Sequence, residues 1–88
     1  MASYKIEWKP SVFRDLKKIP KSYRLEIFRR IETLSSIPRP SGCDKLADTE
    51  RTYRIRIGDY RGVYQINDQA EEILIYHVRH RKDVYRRM

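Results

Sequence analysis

Eighty-eight residues make one domain, expected over 1–88, because chains divide only above roughly 250–300 residues. At 40% hydrophobic and 11% aromatic the chain can build a core, which excludes a disordered tail. Twenty Lys+Arg against twelve Asp+Glu leave a net charge of +8, and thirteen of the twenty cations are Arg. No apolar run approaches the ~20 residues of a membrane span and no signal-peptide stretch follows Met1, so no membrane attachment is expected. Cys43, the single cysteine, can make no internal disulfide and, without further ligands, no zinc site. The expectation is a soluble cytoplasmic protein of a reducing compartment. Arg presents a planar fork that pairs two-pronged with phosphate and stacks on bases, so its excess over Lys points to a nucleic acid or an acidic protein as partner. Composition does not separate those two.

The chain carries no internal repeat and no linker long enough to divide it. Residues 3–8 alternate, with Tyr4, Ile6 and Trp8 on one side, and read as a short strand. Pro10 suits the first turn of a helix, in which Val12, Phe13, Leu16 and Ile19 share a face before Pro20 interrupts it. From Pro20 onward Tyr23, Ile27, Phe28, Ile31 and Leu34 recur at three-to-four spacing, with Arg24, Arg29, Arg30 and Glu32 opposite. That pattern predicts an amphipathic helix of about four turns. Ser35 to Gly42, with Pro38 and Pro40, reads as a loop that continues through Cys43 and Asp44.

The period then changes. Thr52 to Gly58 alternates, with Tyr53, Ile55 and Ile57 on one face and Arg54 and Arg56 on the other. Gly58-Asp59 is a turn pair, Tyr60 to Ile66 a second strand and Asn67-Asp-Gln a second turn. Glu72 to Arg79 is a third strand, apolar on both faces in its middle and so expected at the centre of the sheet. His80 to Arg87 reads as a turn or short helix. The whole predicts an α+β fold: an N-terminal strand, a two-helix hairpin and a three-stranded antiparallel meander, in one sheet with the helices on one face. Arg54 and Arg56 then project from the open face, with Arg61 on the neighbouring strand. Residues 77, 79 and 81 share a face, and the register decides which. A sheet face lined with guanidinium groups suits a phosphate backbone.

Nucleotide-binding glycine patterns, metal-spaced Cys/His clusters and serine-nucleophile signatures are absent. Asp48 and Glu50 precede a strand and read as turn residues rather than an acid/base pair. His77 lies inside a strand and reads as structural. His80, at a strand end and with a reference pKa near 6.5, suits proton transfer at neutral pH.

Asp44-Lys-Leu46, Tyr53-Arg-Ile-Arg-Ile-Gly-Asp-Tyr-Arg61, Val63-Tyr64 and Val78-Arg-His-Arg-Lys-Asp-Val-Tyr-Arg86 resemble the RelE branch of the RelE/ParE toxin superfamily. The stretch around Gly58-Asp-Tyr-Arg61 is common to both branches. The closing His80-Arg-Lys-Asp-Val-Tyr85 is the more selective part, since gyrase-poisoning ParE toxins usually lack its arginine and terminal tyrosine. The resemblance implies a toxin of a type II toxin–antitoxin pair that cuts messenger RNA in the ribosomal A site without a metal or other cofactor. The ribose 2′-hydroxyl attacks the adjacent phosphate, the 5′-oxygen leaves and a 2′,3′-cyclic phosphate forms. Its partners would be a cognate antitoxin, the ribosome with its A-site ribosomal RNA, and mRNA.

By position, the resemblance gives Arg61 a phosphate-stabilising role. It gives Arg81 transition-state stabilisation and leaving-group protonation, and Tyr85 the stacking or orienting of substrate. Arg54 and Arg56 stand where the best-known relatives carry lysines. Arginine does not release its proton near neutral pH, so these two become electrostatic clamps, joined by Arg79 and Lys82 as RNA contacts. The general base is then sought in His80, with Tyr85 behind it. Two alternatives remain open: a ParE-like inhibitor of DNA gyrase, or a basic RNA- or antitoxin-binding module without catalysis.

Overall fold

The computed structural model of the chain describes residues 3–46 and 51–86, with side chains as far as residue 83. Asp48 and Glu50 lie outside the described residues, as does the side chain of Tyr85. The elements are β1 (Lys5–Trp8), α1 (Val12–Lys17), α2 (Lys21–Glu32), a 3₁₀ turn (Thr33–Ser35), β2 (Cys43–Lys45), β3 (Thr52–Ile57), β4 (Tyr60–Asn67), β5 (Glu72–His80) and α3 (Arg81–Arg86). They form an α+β fold around one five-stranded sheet of order β1-β5-β4-β3-β2. β1 runs parallel to β5, and every other pair is antiparallel.

The apolar residues of both periods meet on one face of that sheet. Ile27 and Ile31 of α2 and Leu34 of the turn pack with Val12, Leu16 and Ile19 against Ile55, Ile57, Tyr64, Ile66, Ile73, Ile75 and Val78. Each fully buried Ile or Leu there contributes about 1.5–3 kcal/mol relative to exposure. Tyr4, Ile6 and Trp8 close one side of the core, Trp8 with its ring 5.3 Å from that of Phe28.

Three details differ from the sequence expectation. Phe13 is 53% exposed, because residues 12, 16 and 19 lie on one side of the helix axis and residue 13 falls a further ~100° around it. Cys43–Lys45 is a strand rather than loop, pairing with Ile55, Arg54 and Tyr53. Three residues are too few to display a period, and the pairing edge is supplied by β3. The strand at the middle of the sheet is β4, while β5 lies between β4 and β1.

The β4–β5 ladder also carries an irregularity. Val63 pairs with His77 but Tyr64 pairs with Ile75, which leaves Tyr76 as an extra residue on β5. Ile73 and Ile75 face the core, and after the bulge it is Val78 that does so. Strict alternation would have sent residues 77 and 79 into the core. The bulge turns them to the open face.

The loop between the 3₁₀ turn and β2 is fastened at several points. Tyr64 Oη donates to Pro38 O at 2.8 Å, and burial, followed by the nearby Cys43, pushes its hydroxyl up, so it remains a donor. Arg39 donates to Asp68 through Nη1 (3.2 Å) and Nη2 (2.7 Å) and to Tyr53 Oη through Nε (3.0 Å), while Tyr4 Oη donates to Asp68 at 2.8 Å. Arg39 and then Tyr4 hold the Asp68 carboxyl below its ordinary range. A carboxyl depressed on folding stabilises the fold above its unfolded pKa of about 4, and the effect is lost as pH falls through the lower folded value. Asp68→Asn should therefore melt below wild type at neutral pH, with the gap closing on acidification below about pH 4. An unchanged gap in thermal melts across that range would show that the clamp contributes through shape and not charge.

Candidate functional site

Register across three strands assembles the site. Arg56 lies opposite Arg61 and Arg61 opposite Arg79, forming one row, while Arg54, Val63 and His77 form the next. Both rows lie on the face away from the helices, since the intervening Ile55, Ile57 and Val78 belong to the core. Val63 is buried at 6% yet stands outside the core cluster, between Arg54 and His77. Long arginine stems can cover such a residue while their charged heads stay in water.

Arg61 is 7% exposed, unusual for an arginine. Its Nη1 donates to Gly58 O at 3.0 Å and Tyr60 O at 2.8 Å, folding the guanidinium back over the β3–β4 turn. Gly58 has φ +61, a conformation few other residues accept, so the turn that receives this guanidinium depends on glycine. Arg54, Arg56 and Arg61 together with Gly42 and Asp44 line a recess of about 20 Å³, with Arg54 Nη2 3.8 Å from Asp44 Oδ2. The β2 strand therefore brings a carboxylate to the edge of the arginine cluster.

The end of β5 bears the other candidates. Arg79 Nε lies 3.7 Å from Asp15 Oδ1 of α1. Arg81 begins α3, its backbone N–H donating to Asp59 O at 2.8 Å, which ties α3 to the same β3–β4 turn. Its side chain and that of Lys82 are exposed. His80 pairs with Tyr60 across the ladder and lies edge-on to its ring at 5.5 Å, and Tyr60 in turn lies 5.7 Å from Tyr23 of α2. The imidazole therefore points to the helix side of the sheet, and its Nδ1 accepts the Lys82 N–H at 3.3 Å. It lines a cavity of about 470 Å³ with Asp15, Lys18, Tyr60, Arg79 and Asp83.

Of the residues singled out in the sequence, the fold brings Arg54, Arg56, Arg61 and Arg79 onto one face. Arg81 and Lys82 stand at its rim and His80 on the other face. Asp15 escaped the sequence reading, and Asp44 entered it as a loop and motif residue without a place at the site. Asp15 is the one acidic residue in a basic helix (Arg14, Lys17), and nothing linear connects it to position 79. Among the described residues no group of three or more His, Cys, Asp or Glu side chains is gathered for a metal ion.

Residues 6–85 match the family described as the ParE toxin of type II toxin–antitoxin system, parDE. Toxin RelG of Mycobacterium tuberculosis is 31% identical over 85 residues, 96% of this chain and 98% of that protein. The putative toxin RelE1 of Methanocaldococcus jannaschii is 29% identical over 86 residues, 94% and 96% of the two chains. In the crystal structure of the archaeal RelE–RelB complex from Pyrococcus horikoshii OT3, a chain 27% identical superposes with a TM-score of 0.79, covering 90% of this chain and 96% of that one. The toxin–antitoxin complex RelBE2 of M. tuberculosis gives 0.78 at 26% identity, covering 89% and 98%. The chain is a toxin of the type II toxin–antitoxin class. It belongs to the RelE/ParE superfamily, and the relatives named here are of the RelE kind.

Arg61, at the centre of the row, and Arg56, at one end, differ in what they do for the fold. Arg61→Ala removes two hydrogen bonds from a nearly buried side chain and should lower stability by roughly 1–2 kcal/mol in urea unfolding. Arg56→Ala, at the exposed position opposite, removes one of two facing like charges and should be neutral or slightly stabilising, within ~0.5 kcal/mol. Equal losses would show that Arg61 is not anchored to its turn.

Proposed function

We propose that this toxin is a ribosome-dependent, metal-independent endoribonuclease of the cytoplasm that cleaves mRNA in the A site and so halts translation. The observation that carries the reading is the row Arg56–Arg61–Arg79 laid across three adjacent strands, with Arg54 beside it. A phosphodiester attacked by its neighbouring 2′-oxygen gathers negative charge on its non-bridging oxygens. Guanidinium groups already fixed around that position stabilise the charge without having to reorganise. Arg61, held by the β3–β4 turn, is the most rigid of them and suits the non-bridging oxygens. Arg79 and Arg54 flank it, and Arg56, exposed, suits the adjoining backbone.

Arg81 heads α3 at the exit of β5, where a cation would steady the departing 5′-oxygen while water supplies its proton. Tyr85, four residues further on, is assigned to stacking on a base, and Lys82 to the backbone. The 2′-hydroxyl proton needs an acceptor that arginine cannot be. His80 points away from Arg54, Arg56 and Arg61 and shares its cavity with Arg79 alone of the four, so it serves as that acceptor only where the message bends around the end of β5. Positioning of the message by the ribosome would supply much of the remaining acceleration. The partner in the resting state is an antitoxin, in keeping with the relatives solved as toxin–antitoxin complexes, and the arginine face is the surface it would cover.

The test is cleavage of a 5′-labelled message on ribosomes programmed with a defined A-site codon, with chelator present. Discrete A-site cuts ending in a 2′,3′-cyclic phosphate are expected, slowed roughly 100-fold in single turnover by Arg61→Ala, Arg79→Ala or Arg81→Ala. Intact message would overturn the nuclease, and a stabilised gyrase–DNA break in its place would identify a gyrase inhibitor. His80→Ala cutting at the wild-type rate at every pH would remove the histidine from the mechanism. Ribosome binding should also weaken steeply between about 50 and 200 mM salt, as for any contact dominated by phosphates. Salt-independent affinity would assign the arginine face to another ligand.

A further inference from the structure

β1 accompanies β5 only as far as the Trp8–Ile75 pair, with one further bond from Lys9 N–H to Ile75 O. Beyond that point no strand among the described residues borders β5 on this side, and this is where Arg79 stands. Asp15 of α1 fills the gap. Its Oδ2 accepts the Val78 N–H at 3.3 Å and its Oδ1 lies 3.7 Å from Arg79 Nε. The Asp15 side chain is only 12% exposed and that of Arg79 only 27%.

A neutral acceptor would satisfy a lone strand amide, whereas a carboxylate withdrawn from water costs several kcal/mol unless it faces a cation. Arg79 is that cation. It also has a reason to move away: Arg61 lies directly across from it with Arg56 beyond, and like charges in facing positions repel. The contact is made through Nε. The two terminal nitrogens form the other edge of the guanidinium, a shape that pairs two-pronged with phosphate.

We propose that Asp15 is the positioning residue for Arg79: its carboxylate pins the edge of β5 that β1 leaves uncovered and balances the Arg79 charge, so that the guanidinium keeps one place at the end of the arginine row. This role rests on the nuclease reading above. Asp15 itself touches no reacting atom.

Asp15→Asn separates the two functions of the carboxylate, since it can still accept the Val78 N–H but no longer opposes a charge. Its melting temperature should stay within about 2 °C of wild type, as the core is untouched. Single-turnover cleavage should fall about tenfold, with no change in the ribosome concentration giving half-maximal rate. In an Arg79→Ala background the same substitution should slow cleavage less than about twofold, because its effect passes through Arg79. The contact can also be read without activity. The Arg79 Nε–Hε cross-peak in a ¹⁵N correlation spectrum, assigned by its loss in Arg79→Ala, should shift or exchange away in Asp15→Asn.

An unmoved cross-peak, or equal slowing with and without Arg79, overturns the proposal. If wild type leaves the message intact, the nuclease reading falls and with it the catalytic purpose given to Asp15. The cross-peak then decides separately whether the carboxylate holds the guanidinium.

Discussion

The pairing of β4 with β5 slips by one residue at Val63–Tyr64, and the separate characters of the two sheet faces depend on that slip. Before it, Ile73 and Ile75 fill the core; after it, Val78 does, and His77 and Arg79 are turned outward. Without the extra Tyr76, Arg79 would be driven into an apolar layer, where an unpaired guanidinium is untenable. The chain would lose either its core or the third member of its arginine row. A bulge resolves the conflict within one strand by re-aiming two side chains while the ladder continues on either side.

The price of the site is electrostatic. Three arginines facing one another across adjacent strands, with a fourth beside them, work against the sheet that carries them. The fold moderates this locally. Asp44 approaches Arg54 from β2, Asp15 approaches Arg79 from α1, and Arg61 turns its guanidinium onto two carbonyls of the β3–β4 turn. None of these contacts neutralises the face. They fix the positions of cations whose charge remains available to an anion, the arrangement expected where binding or catalysis outranks stability.

The helices and the three long strands were legible because their apolar spacing is set by burial against one face. Ile27, Ile31 and Leu34 recur at helical spacing, and Tyr53, Ile55 and Ile57 at the spacing of a strand. The outward direction of Arg54 and Arg56 followed from the same alternation. Phe13 misled because an apolar residue next to an amphipathic stripe carries no mark of which side it joins. β2 was invisible because three residues show no period, and its existence rests on the free edge of β3.

The sequence by itself determined the α+β class, the core apart from Phe13, and the arginine content of the sheet, since these rest on local periodicity and composition. It also pointed to the superfamily through residues clustered in the chain. Only the tertiary structure decided that Arg79 faces outward while His80 faces the helices, because a bulge is a property of two strands at once. Only the tertiary structure, likewise, brought Asp15 to Arg79. Their 64 positions of separation are closed by the early end of β1, which leaves an amide and a guanidinium within reach of one carboxylate.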